Sequence, residues 1–174
     1  MTKHIILIGF KSVGKSAIGR ELAKHIAKRF VDLDEEMEKA YNKSEGVSLN
    51  CRQIMQKEGQ QFFRTLEHKV LESVLSITEA SIIALGGGTP IYENNDELLK
   101  QHTLIQITAP KNIVYERIMV NGRPAFFSPD EHPLESFNKI WAERQEKYNQ
   151  LSKVKINNLG SIQQAVGEIK NLIT

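Results

Sequence analysis

The sequence predicts an α/β fold, a three-layer sandwich in which helices cover both faces of a central five-stranded parallel sheet. This prediction depends on five short apolar segments that alternate along the chain with longer segments of helical period. Such alternation is typical of a parallel sheet, because the crossover between two parallel strands usually contains a helix. Ligands of these sheets bind at the carboxyl ends of the strands, so we expect the functional site there.

The predicted strands are short runs of β-branched and other apolar residues. Ile5 to Ile8 is the clearest, since four consecutive apolar residues are followed by Gly9. A second run ends in acidic residues, and a third ends at three consecutive glycines. In chain order, the predicted strands are residues 3–9, 30–33, 81–85, 103–108 and 154–157.

The predicted helices carry apolar residues at helical spacing, as Ile18 and Leu22 do in the first of them. Asn, Ser and Gly near residues 42–48 interrupt the next helical stretch and indicate a loop followed by a new helix. Ser161 and Gln164 form the sequence pattern of a capping box for the last helix. The first predicted helix begins after residue 14, and two helices separated by that loop lie within residues 35–78. Further helices are predicted over residues 110–120 and 134–151, and the last one begins at residue 161.

Length and composition limit the classes of protein to consider. The 174 residues, 40% hydrophobic and 25% charged, suit one domain over residues 1–174. No apolar run approaches the roughly 18 residues of a membrane span, and the start lacks a signal-peptide pattern. We therefore expect a cytoplasmic monomer without membrane contact. The net charge of +2 is spread along the chain, which disfavours nucleic acid, and the single Cys51 is expected to fill space.

Gly9 to Ser16 matches G-x-x-x-x-G-K-[ST], the pattern of a phosphate-binding P-loop, and lies between a predicted strand and a predicted helix. Glycines at both ends allow the loop to curl so that its backbone N–H groups face phosphate oxygens. We expect Lys15 to reach the β- and γ-phosphates of ATP and the Ser16 hydroxyl to ligate Mg²⁺. The expected ATP-binding residues of the loop are Ser12, Val13, Gly14, Lys15, Ser16 and Ala17.

Asp32 and Asp34 follow the second predicted strand. In an extended segment, residues two apart project to the same side, so both carboxylates would face the phosphates. One carboxylate could then hold hydrated Mg²⁺ while the other accepts a proton from, or orients, an attacking hydroxyl. The alternative is an acidic helix start, since the run from Asp34 to Glu36 also suits a helix N-terminus.

Arg64 and Glu67 lie three apart on a predicted helix, a spacing that also fits a surface ion pair. An arginine held by a glutamate presents a fixed fork that matches a substrate carboxylate. Gly86 to Gly88, after the third strand, allow the backbone to approach a ligand closely. Arg64 and Glu67 could instead form a solvated ion pair, and the three glycines could form a loop without a role in binding.

Two further arginines lie in the second half of the chain. Residues 121–133 contain three prolines and no helical or strand period, which predicts a mobile loop. Arg123 in this loop could close over the phosphates and stabilise charge during phosphoryl transfer. Arg144 lies within a charged run on the next helix, and there the residues alone favour a solvated side chain.

Taken together, these motifs resemble the shikimate kinases, small P-loop kinases with a lid. The likeness covers nearly the whole chain, with the motifs in the same order. The matching motifs are the P-loop, Phe30-Val-Asp32-Leu-Asp34, Gly59-x-x-x-Phe63-Arg64-x-x-Glu67, Gly86 to Gly88, Arg123-Pro124 and Arg144.

The resemblance implies ATP-dependent phosphorylation of the shikimate 3-hydroxyl, with Mg²⁺ as cofactor. It also implies a lid at about residues 121–133 and a substrate-binding helical region at about 35–75. The implied ligand contacts are Ser16 and Asp32 for Mg²⁺, Asp34 and Gly87 for substrate hydroxyls, Arg64 and Arg144 for the substrate carboxylate, and Arg123 for ATP. The implied catalytic residues are Lys15, Asp34 and Arg123.

The sequence departs from the family pattern in the P-loop, in the substrate region and in the lid. Ser12 stands where the family usually has another glycine, and Gln60 stands where it usually has glutamate. Residues 125–127, Ala-Phe-Phe, follow Arg-Pro where two leucines are usual. Two alternatives remain open: a gluconate-type kinase, and a catalytically silent nucleotide-binding module. By position only, residues 157–161 are expected to lie near the adenine.

Overall fold

The structure is a computed structural model that describes residues 3–92, 94–120 and 122–173. The described residues form five strands and seven α-helices, with one 3₁₀ turn at Thr89–Ile91. The strands are β1 (Ile5–Ile8), β2 (Arg29–Asp32), β3 (Ser81–Ala84), β4 (Thr103–Thr108) and β5 (Val154–Asn157). The helices are α1 (Lys15–His25), α2 (Leu33–Glu45), α3 (Cys51–Leu75), α4 (Asn95–Leu99), α5 (Lys111–Met119), α6 (Pro133–Leu151) and α7 (Ile162–Ile173).

The strands form one sheet in the order β2-β3-β1-β4-β5, and every pair in it is parallel. Helices flank this sheet, which confirms the predicted α/β fold with a central five-stranded parallel sheet. β1 lies between β3 and β4, and β3 also pairs with β2. The carboxyl ends of β2, β3 and β1 are therefore neighbours, which brings the segments that follow them to one edge of the sheet.

The core is the layer where the sheet meets the helices. Ile6, Leu7 and Ile8 of β1 are fully buried, as are Ile18 and Leu22 of α1. Continuous burial along β1 is expected of a central parallel strand that is covered on both faces. These strands and helices form the rigid base from which the loops at the carboxyl edge extend.

The predicted interruption of the second helical stretch is confirmed. α2 ends before Gly46, which has a left-handed conformation with φ 65°. α3 begins after Asn50, whose side chain accepts a hydrogen bond from the N–H of Gln53, while the Gln53 side chain accepts one from the N–H of Asn50. This capping box was not predicted. Ser161 Oγ accepts a hydrogen bond from the N–H of Gln164 before α7, as the sequence pattern indicated.

Two features of the fold lie outside the sequence predictions. α4 is only five residues long, too short for its hydrophobic period to be recognised. Gly59 interrupts the helical conformation within α3, with φ 84° and ψ 168°. This break divides α3 into a first part that begins at Cys51 and a second part that carries Arg64 and Glu67. Among the described helices, none is both long and apolar enough to cross a bilayer.

Replacing Gly59 with alanine should lower the free energy of unfolding by about 1–3 kcal/mol, because its backbone region is essentially restricted to glycine. An added Cβ would meet no atom within 4 Å, so the cost lies in the backbone conformation rather than in a clash. Urea denaturation of Gly59→Ala measures it. Gly167→Ala is the matched control, since Gly167 lies in regular α7 and also has open space around its Cβ position. Gly167→Ala should raise the free energy of unfolding by about 0.5–1 kcal/mol. A loss of stability in both variants would contradict this account.

Candidate active site

A cavity of about 460 Å³ lies at the carboxyl edge of the sheet, where the segments after β1, β2 and β3 meet. It is lined by residues from the P-loop, from α2 and α3, from the glycine triplet and from α6. Most of the site residues expected from the sequence line this cavity, namely Ser12, Gly14, Lys15, Ser16, Ala17, Asp32, Asp34, Arg64, Gly87 and Arg144. Two expected residues, Val13 and Arg123, are not among the lining residues.

The P-loop connects β1 to α1, as its motif requires. Gly9 and Gly14 have backbone φ angles of 140° and 100°, which residues other than glycine rarely adopt. The Lys15 ammonium group is buried and donates hydrogen bonds to the carbonyl oxygens of Gly9 at 2.9 Å and Phe10 at 2.8 Å. Burial lowers the pKa of Lys15 to about 8, although nearby Asp34 and Asp32 act in the opposite direction.

Ser12 has a φ of 65°, in the left-handed region that favours glycine. The departure from the family pattern at this position therefore falls on a residue whose backbone conformation a glycine would adopt more easily. Arg117 of α5 donates a hydrogen bond to the Ser12 carbonyl oxygen at 3.3 Å. Asn158, in the segment after β5, donates one to the Val13 carbonyl oxygen at 2.8 Å. Contacts from two different elements thus support the P-loop.

The acidic pair lies at the junction of β2 and α2. Asp32 is the last residue of β2 and the N-cap of α2, and its Oδ1 accepts a hydrogen bond from the N–H of Asp34 at 3.1 Å. Asp34 lies in the first helical turn. The expectation that both residues belong to an extended segment was therefore wrong, and the acidic helix start is what the structure contains. Both side chains nevertheless reach the cavity, because the turn from strand to helix occurs at its edge.

Asp34 is exposed to solvent at the cavity, although many protein atoms lie around its carboxylate. Desolvation by these atoms raises its pKa from 3.8 to about 6, and the negative charge of Asp32 acts in the same direction. Lys15 opposes the shift with its positive charge. A pKa in this range is close to neutral pH, which suits a carboxylate that acts as a general base.

Arg64 and Glu67 form a buried ion pair rather than a solvated one. Their side chains are only 12% and 2% exposed, and Arg64 Nη1 donates to Glu67 Oε2 at 2.6 Å. The other carboxylate oxygen of Glu67 accepts a hydrogen bond from the Thr89 hydroxyl at 2.7 Å. Glu67 is therefore fixed from two sides, and it fixes the Arg64 guanidinium at the cavity wall.

The glycine triplet allows charged side chains to approach the backbone. A Cβ at Gly88 would lie 2.3 Å from Arg64 Nη2, and one at Gly86 would lie 2.8 Å from Asp34 Oδ1. A side chain at Gly88 would therefore displace the Arg64 guanidinium, and one at Gly86 would displace the Asp34 carboxylate. The Tyr148 hydroxyl, on α6, donates a hydrogen bond to the carbonyl oxygen of Gly87 at 2.5 Å. The triplet is thus held in place while its surface remains close to two functional side chains.

Arg144 is buried at the cavity wall, with 8% of its surface exposed, so the solvated alternative was wrong. Its guanidinium carbon lies 5.2 Å from the centre of the Phe10 ring and 4.9 Å from the centre of the Phe126 ring. Burial lowers the pKa of Arg144 from its usual value, though an arginine remains charged at neutral pH.

Arg123 belongs to the segment between α5 and α6, which we call the 122–132 loop. Its guanidinium donates hydrogen bonds to the carbonyl oxygens of Ser128 and Glu131, the second at 2.6 Å. In this conformation Arg123 therefore binds the loop's own backbone. Both hydrogen bonds use Nη2. The expected contact of Arg123 with ATP stays a prediction.

Sequence reasoning missed several residues of the cavity wall, which are Lys11, Cys51, Arg52, Met55, Arg117 and Phe126. Arg117 is the one with a recognisable signal. It lies in the last turn of a helix that follows β4, and β4 pairs with the P-loop strand β1. Cys51 was expected to fill space, but it is only half-buried and its thiol donates to the carbonyl oxygen of Asp34 at 3.4 Å. Burial raises the pKa of this thiol, which disfavours the reactive thiolate form.

Comparison with known proteins adds independent information. A protein-family model for shikimate kinase matches residues 11–174 of the chain. The shikimate kinase of Flavobacterium johnsoniae is 33% identical over 98% of this chain and 99% of its own length, and that of Macrococcus caseolyticus is 31% identical over 97% and 95%. A solved structure of shikimate kinase from Acinetobacter baumannii in complex with shikimate superposes with a TM-score of 0.84. It shares 27% identity and covers 99% of this chain and 93% of its own.

The environment of Asp34 leads to a direct spectroscopic prediction. In a carbon-detected NMR titration of the free protein, the Asp34 carboxyl should titrate near pH 6, because desolvation and Asp32 disfavour its charged form. Asp32→Asn keeps the hydrogen-bond acceptor at the N-cap but removes the charge, so it should lower the pKa of Asp34. Titration of Asp34 near the ordinary value of 3.8 would show that water in the cavity solvates it fully.

The same shift sets a pH dependence of stability. The folded-state pKa of Asp34 lies above its unfolded value, so the folded state binds more protons between about pH 4 and pH 6. The stabilising contribution is therefore complete below that range and is lost as the pH rises through about 6. Asp34→Asn should be more stable than the parent at pH 7.5, and this advantage should shrink towards pH 5.

Proposed function

The chain belongs to the shikimate kinase family, and we propose that it transfers the γ-phosphoryl group of ATP to the 3-hydroxyl of shikimate. The observation that carries this proposal is that one cavity joins the P-loop to two buried arginines, Arg64 and Arg144. A phosphate-binding loop and a pair of arginines that line one cavity fit a phosphoryl donor and an acidic acceptor.

For the nucleotide, we propose that Lys15 exchanges the carbonyl oxygens of Gly9 and Phe10 for the β- and γ-phosphates. Ser16 and Asp32 would hold Mg²⁺, and their hydroxyl and carboxylate oxygens are the hard ligands that this ion prefers. Among the described residues, no group of three or more His, Cys, Asp or Glu could hold a metal alone. A site completed by phosphate oxygens and water is the usual arrangement for Mg²⁺. When bound, the ion would neutralise negative charge on the phosphates.

For the acceptor, we propose that the shikimate carboxylate binds between Arg64 and Arg144, both of which donate without being able to accept. Charge-assisted hydrogen bonds from two buried guanidinium groups favour a carboxylate strongly over a neutral group. The hydroxyl groups of the ring would then face Asp34 and the backbone at Gly87.

Catalysis in this proposal comes chiefly from positioning and charge. Asp34 orients the attacking hydroxyl and accepts its proton, and a pKa of about 6 leaves it ionised for this task at neutral pH. Lys15 stabilises the charge of the transferring phosphoryl group. Binding both reactants in one cavity supplies the favourable geometry that phosphoryl transfer mainly requires.

We also propose that the 122–132 loop acts as a lid, with its expected range of about 121–133. Asn121 lies outside the described residues. Closure would exclude water and bring Arg123 from the carbonyl oxygens of its own loop to the nucleotide. Residues 35–75 would form the substrate-binding region within a single domain. The cytoplasmic location, the monomeric state and the adenine contact of residues 157–161 stay predictions.

An ADP-release assay across several acceptors tests the function. With purified protein, ATP and Mg²⁺, shikimate should give saturable ADP release, while gluconate and nucleoside monophosphates should give only the background rate. Release with gluconate but not shikimate would support the gluconate-type alternative, and no release with any acceptor would support a silent module. Either result would overturn the proposal.

Lys15→Ala controls for a contaminating kinase. Because charge stabilisation and positioning supply most of the catalysis, this variant should lose at least about a thousandfold in turnover, by analogy with the removal of other phosphate-stabilising groups. Circular dichroism checks that the variant is folded. Undiminished shikimate-dependent turnover in the folded variant would contradict the role of Lys15.

A further inference from the structure

Arg64 and Arg144 are held in different ways. The carboxylate of Glu67 fixes Arg64, whereas within the described ranges no ion pair holds Arg144. Arg144 is instead enclosed by the faces of Phe10 and Phe126, with its guanidinium carbon 5.2 Å and 4.9 Å from the two ring centres. A planar guanidinium stacks well on aromatic faces, and such contacts are stronger when water is excluded. The orientation of Arg144 therefore depends on these two aromatic rings, together with the Tyr148 hydroxyl, which accepts a hydrogen bond from Arg144.

The two rings belong to parts of the chain with different roles. Phe10 is a P-loop residue and is fully buried, so its position is fixed by the core. Phe126 belongs to the 122–132 loop, and its ring also lies 6.0 Å from the Lys11 ammonium group of the P-loop. Phe126 is thus the part of the stack that moves if the loop moves.

Phe126 also lines two cavities. The active-site cavity and a second cavity of about 250 Å³ share a wall that includes Arg64, Arg144 and Phe126. Removing the ring would leave the side of the Arg144 guanidinium that it covers open to water. Water there would weaken the stack and give the guanidinium more rotamer freedom.

The neighbouring residue, Phe127, has a different role. Its side chain is 4% exposed, and its ring packs 6.4 Å from the ring of Phe137 on α6. Phe127 therefore attaches the loop to the core, while Phe126 faces the cavity. Phe126 also falls in the Ala-Phe-Phe segment, where the family usually has leucines that provide no aromatic face.

We propose that Phe126 is a positioning residue for substrate carboxylate binding. Its ring holds the Arg144 guanidinium against Phe10, so that the fork faces the substrate when the 122–132 loop covers the cavity. Carboxylate binding and the position of this loop are thereby coupled through one aromatic contact. The identity of the carboxylate as that of shikimate rests on the proposed function.

Phe126→Leu tests this inference by removing the aromatic face while keeping an apolar side chain. Loss of a desolvated cation–π contact of up to about 2 kcal/mol predicts a rise of roughly five- to thirtyfold in the KM for shikimate. The value of kcat and the KM for ATP should each change less than about threefold. Phe126→Tyr retains the ring face and should keep the KM for shikimate near that of the parent. If Phe126→Leu fails to fold, Phe126→Met carries the same expectation.

A double-mutant cycle distinguishes positioning from general loosening of the loop. In an Arg144→Ala background, Phe126→Leu should raise the KM for shikimate no further, because the group that it positions is absent. Phe127→Leu is the matched control: it should lower thermal stability, and its effect on the KM should be independent of Arg144.

Three results would overturn the inference. They are an unchanged KM for shikimate in folded Phe126→Leu, an effect of equal size with and without Arg144, and a Phe126→Tyr variant as impaired as Phe126→Leu. Failure of the proposed function is recognised separately, because the parent protein would then show no shikimate-dependent ADP release.

Discussion

The site depends on the parallel alignment of three neighbouring strands. Leu7, the last residue but one of β1, pairs with Ala84, and Ala84 pairs with Asp32, so the carboxyl ends of β1, β3 and β2 lie within one residue of the same level of the sheet. Each strand is followed there by a different chemical element: the P-loop, the glycine triplet or the acidic start of α2. A slip of one residue in any pair would turn side chains to the other face and separate these elements. The alignment of the sheet is therefore the main constraint on the active site.

Removing several charged side chains from water into one cavity costs free energy, and contacts with other protein groups offset part of this cost. Lys15 is held by backbone carbonyl oxygens, Arg64 by a buried carboxylate and Arg144 by two aromatic faces. Asp34 has no comparable compensation, so its carboxyl group has a raised pKa. Functional sites commonly contain charged groups that the protein stabilises only in part, at some cost in stability. A charged group already stabilised fully by protein atoms would gain little from binding a ligand.

Features that depend on a few adjacent residues could be predicted from the sequence. Features that depend on contacts between residues far apart in the chain could not. The five strands and the P-loop follow from local pattern. The break at Gly59 could not be predicted, because a single glycine within a helical pattern is usually tolerated. The wrong geometry assumed for Asp34 came from placing the strand end too late. Arg117 and Phe126 reach the cavity only through tertiary contacts, and nothing in the spacing of Arg123 indicates that it binds its own loop.

The central claim is that Arg64 and Arg144 bind a carboxylate in the cavity that the P-loop also lines. Isothermal titration calorimetry in the presence of ADP and Mg²⁺ tests it most directly, with shikimate and its methyl ester as ligands. The account predicts one-to-one binding of shikimate and at least about a hundredfold weaker binding of the ester, since charge-assisted hydrogen bonds of about 1.5–3 kcal/mol each are lost. Equal affinity for the two ligands, or no binding of shikimate, would contradict it.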